Sequence, residues 1–252
     1  MPPIAPAPHP LRDVRALVFD VFGTLVDWRT SIAREARQAL APLGIEADWL
    51  AFADAWRAQY QPAMARVREG ALPYCKLDDL HRLNLDAVLA AWGLAHRVDE
   101  ATRAHLNRAW HRLDAWPDVT AGLRALRPRV LLAPCSNGHI ALMVHLARHN
   151  GWVWDAILGA ELARDYKPKP GVYRAAVEAL DLPPRSVMMV AAHSDDLAAA
   201  AQAGLRTAFV ARPDEHGPGR GERRATVPVD VEVSSLSELA ERLGPGDGPG
   251  AC

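Results

Sequence analysis

The chain has 252 residues, half of them hydrophobic, and 29 Lys and Arg stand against 30 Asp and Glu for a net charge of −1. That is apolar material enough for one large domain or a domain with an insert, and the charge balance offers nothing to a polyanion or an acidic membrane surface. No apolar run reaches the ~20 residues of a membrane span, "MPPIAPAPHPLR" lacks the apolar core of a signal peptide, and Cys75, Cys135 and Cys252 are too few and too scattered for a disulfide framework or a zinc site, so the expectation is a cytoplasmic globular protein with free thiols and no nucleic-acid or membrane partner.

After a Pro-rich leader, "RALVFD" (residues 15–20) predicts a strand, closed by the turn residues Gly23 and Thr24. From Trp28 to His111 the character changes. "SIAREARQALAPLG", "DWLAFADAWRAQYQPAMARVREG", "KLDDLHRLNLDAVLAAWGL" and "DEATRAHLNRAWHRL" place apolar residues three and four apart, which predicts helices and no strand. From Trp116 onward strands and helices alternate: the expected strands are "RVLLAPCSN", "DAILG", "SVMMVAAH", "LRTAFVA" and "VDVEV". "GRGERRA", with Arg220, Arg223 and Arg224, reads as a solvated loop. Alternation of this kind predicts an α/β fold: a Rossmann-like parallel-sheet core over 13–27 and 113–245, covered on both faces, with ligands received at the carboxyl ends of the strands. The helical stretch 28–112 is then an inserted cap above that edge. The ends, 1–12 and 246–252, are expected to be flexible.

Polar groups collect where the predicted strands end: Asp20, then Ser136 with Asn137, then Lys167 in "DYKPKPG", then His193 with Asp196. Each has a plain structural explanation by itself, since Asp20 could begin a turn, Ser136 could cap a helix, and Asp195 and Asp196 could favour a helix amino end. At one edge of one sheet they can instead meet around a single small ligand.

Four segments, "FDVFGTLVD", "CSNGH", "YKPKPGVY" and "VAAHSDD", resemble the sequential motifs of the haloacid dehalogenase superfamily, over essentially the whole chain from Arg15 to Gly244. Most members of that superfamily are magnesium-dependent phosphatases with a second aspartate two positions after the nucleophile. Here that position is Phe22. An aromatic residue there resembles the type II 2-haloacid dehalogenases, which use no metal, so the resemblance implies no cofactor. The physical argument runs the same way. Phosphoryl transfer must protonate a leaving oxygen and neutralise a dianion, tasks for a second acid and an oxygen-bound magnesium ion. Displacing halide from carbon needs only an aligned carboxylate and donors around the departing ion.

The resemblance implies that Asp20 attacks the halogen-bearing carbon of a short 2-haloalkanoic acid to form an ester that water then hydrolyses. It implies that Thr24 orients Asp20, that Ser136 and the amides after Asp20, at Val21 and Phe22, hold the substrate carboxylate, and that Asn137 and Arg57, from "WRAQY" in the cap, receive the halide. Lys167 would offset the charge on Asp20 and be held by Asp196, and Tyr173 matches a tyrosine near the family's site. Trp28 and Trp56 would wall off solvent. Where family members carry a water-positioning amide, this chain has Ala191, Ala192 and His193, and a neutral His193 imidazole facing the ester could accept the proton of the attacking water. Relatives are often dimers, which leaves a homodimer open. Two rival readings remain at this point: a magnesium phosphatase using Asp20, Asp195 and Asp196, and a non-catalytic binding protein of the same fold.

Overall fold

A computed structural model describes residues 11 and 13–244. The rest of the expected flexible ends, and Cys252, lie outside the described residues. Leu11, assigned to the leader, is buried in the core.

Six parallel strands form the sheet: β1 (Ala16–Phe19), β4 (Leu131–Ser136), β5 (Leu158–Gly159), β6 (Val187–Ala191), β7 (Arg206–Val210) and β8 (Val231–Val233), in the order β5-β4-β1-β6-β7-β8. These are the six expected strands, trimmed at their ends. The strands are apolar on both sides because both faces are covered. Leu17 and Phe19 of β1, with Met188 and Val190 of β6, pack into one core, while Ala16 and Val18, with Val187 and Met189, pack into another on the opposite face. Because every strand runs the same way, all six carboxyl ends share one edge. The central place of β1 sets Asp20 between the end of β4 and the end of β6, and the Asp20 amide is tied to Val190 O at 3.0 Å.

Two strands were not expected. β2 (Val26–Asp27) and β3 (Asp114–Ala115) pair antiparallel and form a neck where the chain leaves the core and returns. At two residues each they carry no periodicity for a pattern to show. Everything between them is helical or loop, the longest helix being Leu77–Ala91. No helix among the described residues is long and apolar enough to cross a membrane.

The stretch from Asp48 to Gly70, expected to be helical, holds two helices, Trp49–Ala58 and Tyr60–Arg68, hinged at Gln59. Asp48 caps the first by accepting from the amides of Leu50 and Ala51, at 3.0 Å each. Pro62 explains the hinge: it has no N–H to donate to the carbonyl of Ala58, and its ring crowds that carbonyl. The break presents Arg57 and Tyr60 together to the sheet edge.

Candidate active site

Asp20 lies at the floor of a cavity of about 500 Å³, open between the sheet edge and the helical insert. Both its oxygens are held. Oδ2 accepts from Thr24 Oγ1 at 2.7 Å and lies 3.2 Å from His193 Nδ1, while Oδ1 accepts from Lys167 Nζ at 2.8 Å. Thr24 is itself fixed, since its hydroxyl accepts from the Ala192 amide at 2.9 Å. Lys167 also donates to Asp196 Oδ2 at 2.5 Å, and Tyr173 donates to the other Asp196 oxygen at 2.6 Å. The Lys167 amide donates to Asn137 Oδ1 at 2.8 Å, so the Asn137 side chain is turned with its carbonyl engaged and its NH₂ towards the Tyr60 hydroxyl.

These contacts set the charges. Burial alone would push the Asp20 carboxyl up, but the Lys167 ammonium and His193 outweigh it and hold it well below the usual carboxylate range. Burial likewise opposes the charge on Lys167, and Asp196 and Asp20 together override it and raise its pKa. Asp196 is lifted above its ordinary value by burial. Of the two carboxylates flanking Lys167, Asp20 is therefore the more firmly ionised.

His193 does face the crevice, but not as a neutral base. Its Nε2 lies 2.9 Å from Glu215 Oε2, and although burial disfavours the imidazolium, Glu215 and Asp20 raise its pKa well above the ordinary value. Held between two carboxylates, the resting ring is cationic, which corrects the expectation of a neutral imidazole. Glu215 is 2% exposed and also accepts from Trp28 Nε1 at 3.1 Å. It stands so close to Gly23 (φ 88°) that a Cβ there would overlap the carboxylate, its nearest oxygen 2.0 Å away. Glycine at that turn thus supplies both the left-handed conformation and the room.

The insert roofs the cavity. The Arg57 guanidinium lies 4.0 Å from the Tyr60 ring centroid and 5.2 and 5.9 Å from those of Trp28 and Phe22. Its Nη1 is buried without a hydrogen-bond partner, a donor left for something that enters the cavity. The amides of Val21 and Phe22 also donate to no acceptor among the described residues.

Of the expected residues, Asp20, Phe22, Arg57, Asn137, Lys167, His193 and Asp196 line the cavity, as do Trp28 and Asp195. Thr24 and Tyr173 stand behind the wall, touching Asp20 and Asp196. Ser136 is fully buried and accepts from the Gly138 amide at 3.0 Å; neither it nor Val21 is on the wall. Trp56 is away from the cavity: it is packed in the insert, donating to His81 O at 3.0 Å. Sequence reasoning missed Tyr60 and Glu215. Tyr60 had a signal, three residues after Arg57 on an amphipathic stretch. Glu215, in the irregular loop after β7, had none. The Lys167 ammonium sits between Asp20 and Asp196 and offsets one of their two charges. The described residues whose ligand atoms are close enough to share a cation are Asp78, His111 and His139, none of which lines this cavity.

Comparison with known proteins agrees with this geometry. The family model of haloacid dehalogenase-like hydrolases matches residues 14–204. (S)-2-haloacid dehalogenase 1 of Pseudomonas sp. (strain CBS-3) is 30% identical over 234 residues, covering 91% of this chain and 96% of that protein. The crystal structure of the defluorinating L-2-haloacid dehalogenase Rha0230 superposes with a TM-score of 0.90 at 43% identity, over 92% of this chain and 96% of that one. The L-2-haloacid dehalogenase PA0810 gives 0.87 at 47% identity, over 91% and 98%. With its motifs gathered around Asp20 and a family model spanning most of its length, this chain belongs to the haloacid dehalogenase-like hydrolases.

Proposed function

We propose that the protein hydrolyses short 2-haloalkanoic acids, L-2-haloacids and haloacetates with fluoroacetate among them, to 2-hydroxy acids through an ester on Asp20, with the insert 28–112 closing as a cap over the core segments 13–27 and 113–245. The observation that carries the reading is the pairing of an ionised, positioned carboxylate with a buried, partnerless Arg57 donor across a cavity whose second-acid position is Phe22.

Asp20 Oδ2 already has Thr24 and His193 as neighbours, whereas Oδ1 has Lys167 alone and keeps a lone pair for attack. The free amide of Phe22, on the cavity wall, offers a donor to the substrate carboxylate. Arg57 and the Asn137 NH₂ take the halide as it leaves with the bonding electrons, and no proton is required. The strongest acceptor among the halides is fluoride, so an otherwise unsatisfied, buried guanidinium suits that leaving group best. Its product, the ester, has lost the Asp20 charge. One of the two carboxylates that kept His193 cationic is gone, the ring can release its Nδ1 proton to solvent, and Glu215 still holds its Nε2 side. Nδ1 then accepts a proton from water, the hydroxide adds to the ester carbonyl, and the remaining hydroxyl proton passes to the departing alkoxide. The cycle closes with the imidazolium again beside the Asp20 carboxylate.

Halide release from 2-chloropropionate, chloroacetate and fluoroacetate, measured beside hydrolysis of p-nitrophenyl phosphate with and without EDTA, tests this. Halide release that survives EDTA is expected, with the phosphate ester untouched. Magnesium-dependent phosphatase activity alone would establish the first rival, and silence on every substrate would favour a binding protein.

A further inference from the structure

Outside the cavity, three potential ligands meet at the junction of insert and core. Asp78 lies in the first turn of helix Leu77–Ala91, His111 ends the 3₁₀ turn Arg108–His111, and His139 precedes helix Ile140–Asn150. His111 Nε2 is 2.9 Å from Asp78 Oδ1, and His139 Nε2 is 3.7 Å from Asp78 Oδ2; the three ligand atoms fall within 4.8 Å of one another. His139 is 3% exposed, yet its Nδ1 is buried with no partner and its Nε2 is too far from Asp78 for a hydrogen bond. The Nε2, which faces Asp78 without a hydrogen bond, is open to a ligand of its own.

We propose that Asp78, His111 and His139 form a site for a borderline divalent cation of the zinc class, clamping the helical insert to the core two residues from Asn137. Tetrahedral zinc with bonds near ~2.0–2.1 Å sets its ligand atoms roughly 3.3 Å apart, and the observed 2.9 and 3.7 Å lie on either side. Two imidazoles and one carboxylate suit zinc, with water as the fourth ligand. His145 supplies the outer support. Its Nδ1 is 2.7 Å from His111 Nδ1, so it accepts the proton that His111 carries there when Nε2 binds metal. The group now beside these ligands is Arg108, with Nη1 3.2 Å from Asp78 Oδ2. Its side chain is 53% exposed and free to swing into solvent as the cation enters.

Calorimetric titration of the chelator-treated full chain with zinc should give one equivalent, and cobalt(II) should give the visible bands of a four-coordinate centre. Hydrogen exchange across residues 77–91 should slow when zinc is bound. His139→Ala and Asp78→Asn should each lose the stoichiometric step. Because an alanine in the core could perturb folding, His139→Cys provides a second reading: its cobalt complex should gain a thiolate-to-cobalt charge-transfer band. No stoichiometric uptake by the parent, equal uptake by the alanine and asparagine variants, or a cysteine variant without that band would each overturn the site.

Discussion

Glu215→Gln isolates the part of the site that no motif announced. The substitution keeps the size of a side chain that is 2% exposed and removes one of the two negative charges holding His193 cationic. A hydrogen bond to a charged group contributes about 1.5–3 kcal/mol, which at ~1.4 kcal/mol per unit lowers the His193 pKa by about 1–2 units. The first half-reaction should be spared, because Asp20, Lys167 and Arg57 are untouched. The second should suffer, because the base is weaker and its Nε2 side is no longer held by a carboxylate; general-base catalysis is worth about 10²–10⁴ in rate, and a loss of tenfold or more of it is expected. Rapid-quench measurement of halide should show a full burst at the parental rate. Intact-protein mass spectra should show the Asp20 ester accumulating, and the pH limb of ester breakdown should move about 1–2 units towards acid. A limb that stays in place with no accumulating ester would refute the role of Glu215 and, with it, that of His193 as the base.

Arg57→Ala should slow ester formation by about 10²–10³, the usual cost of one donor to developing charge, while changing substrate binding far less; a parental alkylation rate would move the halide site elsewhere. In a single turnover in ¹⁸O-water, the label should enter the Asp20 carboxylate before the product, and label appearing first in the hydroxy acid would make water the nucleophile. His193 also links stability to pH. Its pKa is raised on folding, so its contribution is fully present below the unfolded value of about 6.5 and is lost as pH rises through the folded value. The difference in urea midpoint between the parent and His193→Phe should therefore be widest below pH ~6.5 and shrink above it, and a gap that does not vary with pH would contradict the imidazolium assignment.

Much of this site was legible because strand ends in a parallel sheet share an edge. Once "RALVFD" and "SVMMVAAH" are read as neighbouring strands, Asp20 and His193 must approach one another, and Lys167 and Asp196 follow from their motifs. What remained hidden is what irregular backbone positions. Glu215 stands 195 residues beyond Asp20, in a loop rich in proline and glycine, and only folding brings it over Gly23. That concealment propagated: the location of His193 could be inferred, but its charge could not, because the charge depends on Glu215. The hinge at Gln59 is a different matter. Pro62 is visible in "AQYQPAM", but the amphipathic pattern runs across it and marks no boundary between helices.

The charges around Asp20 also explain why an aromatic residue belongs at position 22. Asp20, Asp196 and Glu215 bring three negative charges to the inner site, and Lys167, His193 and Arg57 bring three positive ones. A haloacid would therefore meet these six balanced charges around Asp20 as a single added anion. A carboxylate in place of Phe22 would make the empty site negative and repel that substrate unless a divalent metal came with it, which is the arrangement a phosphatase needs to meet a phosphate dianion. The Phe22 ring instead stacks edge-on against Tyr60 and Trp110, 6.2 and 6.0 Å between centroids, and packs beneath Arg57. An apolar ring offers the Arg57 guanidinium no hydrogen-bond acceptor, and Nη1 is left without a partner. On the proposed mechanism, leaving-group chemistry without a proton and charge balance without a metal would both follow from this side chain, and a Phe22→Asp variant would be expected to lose both together.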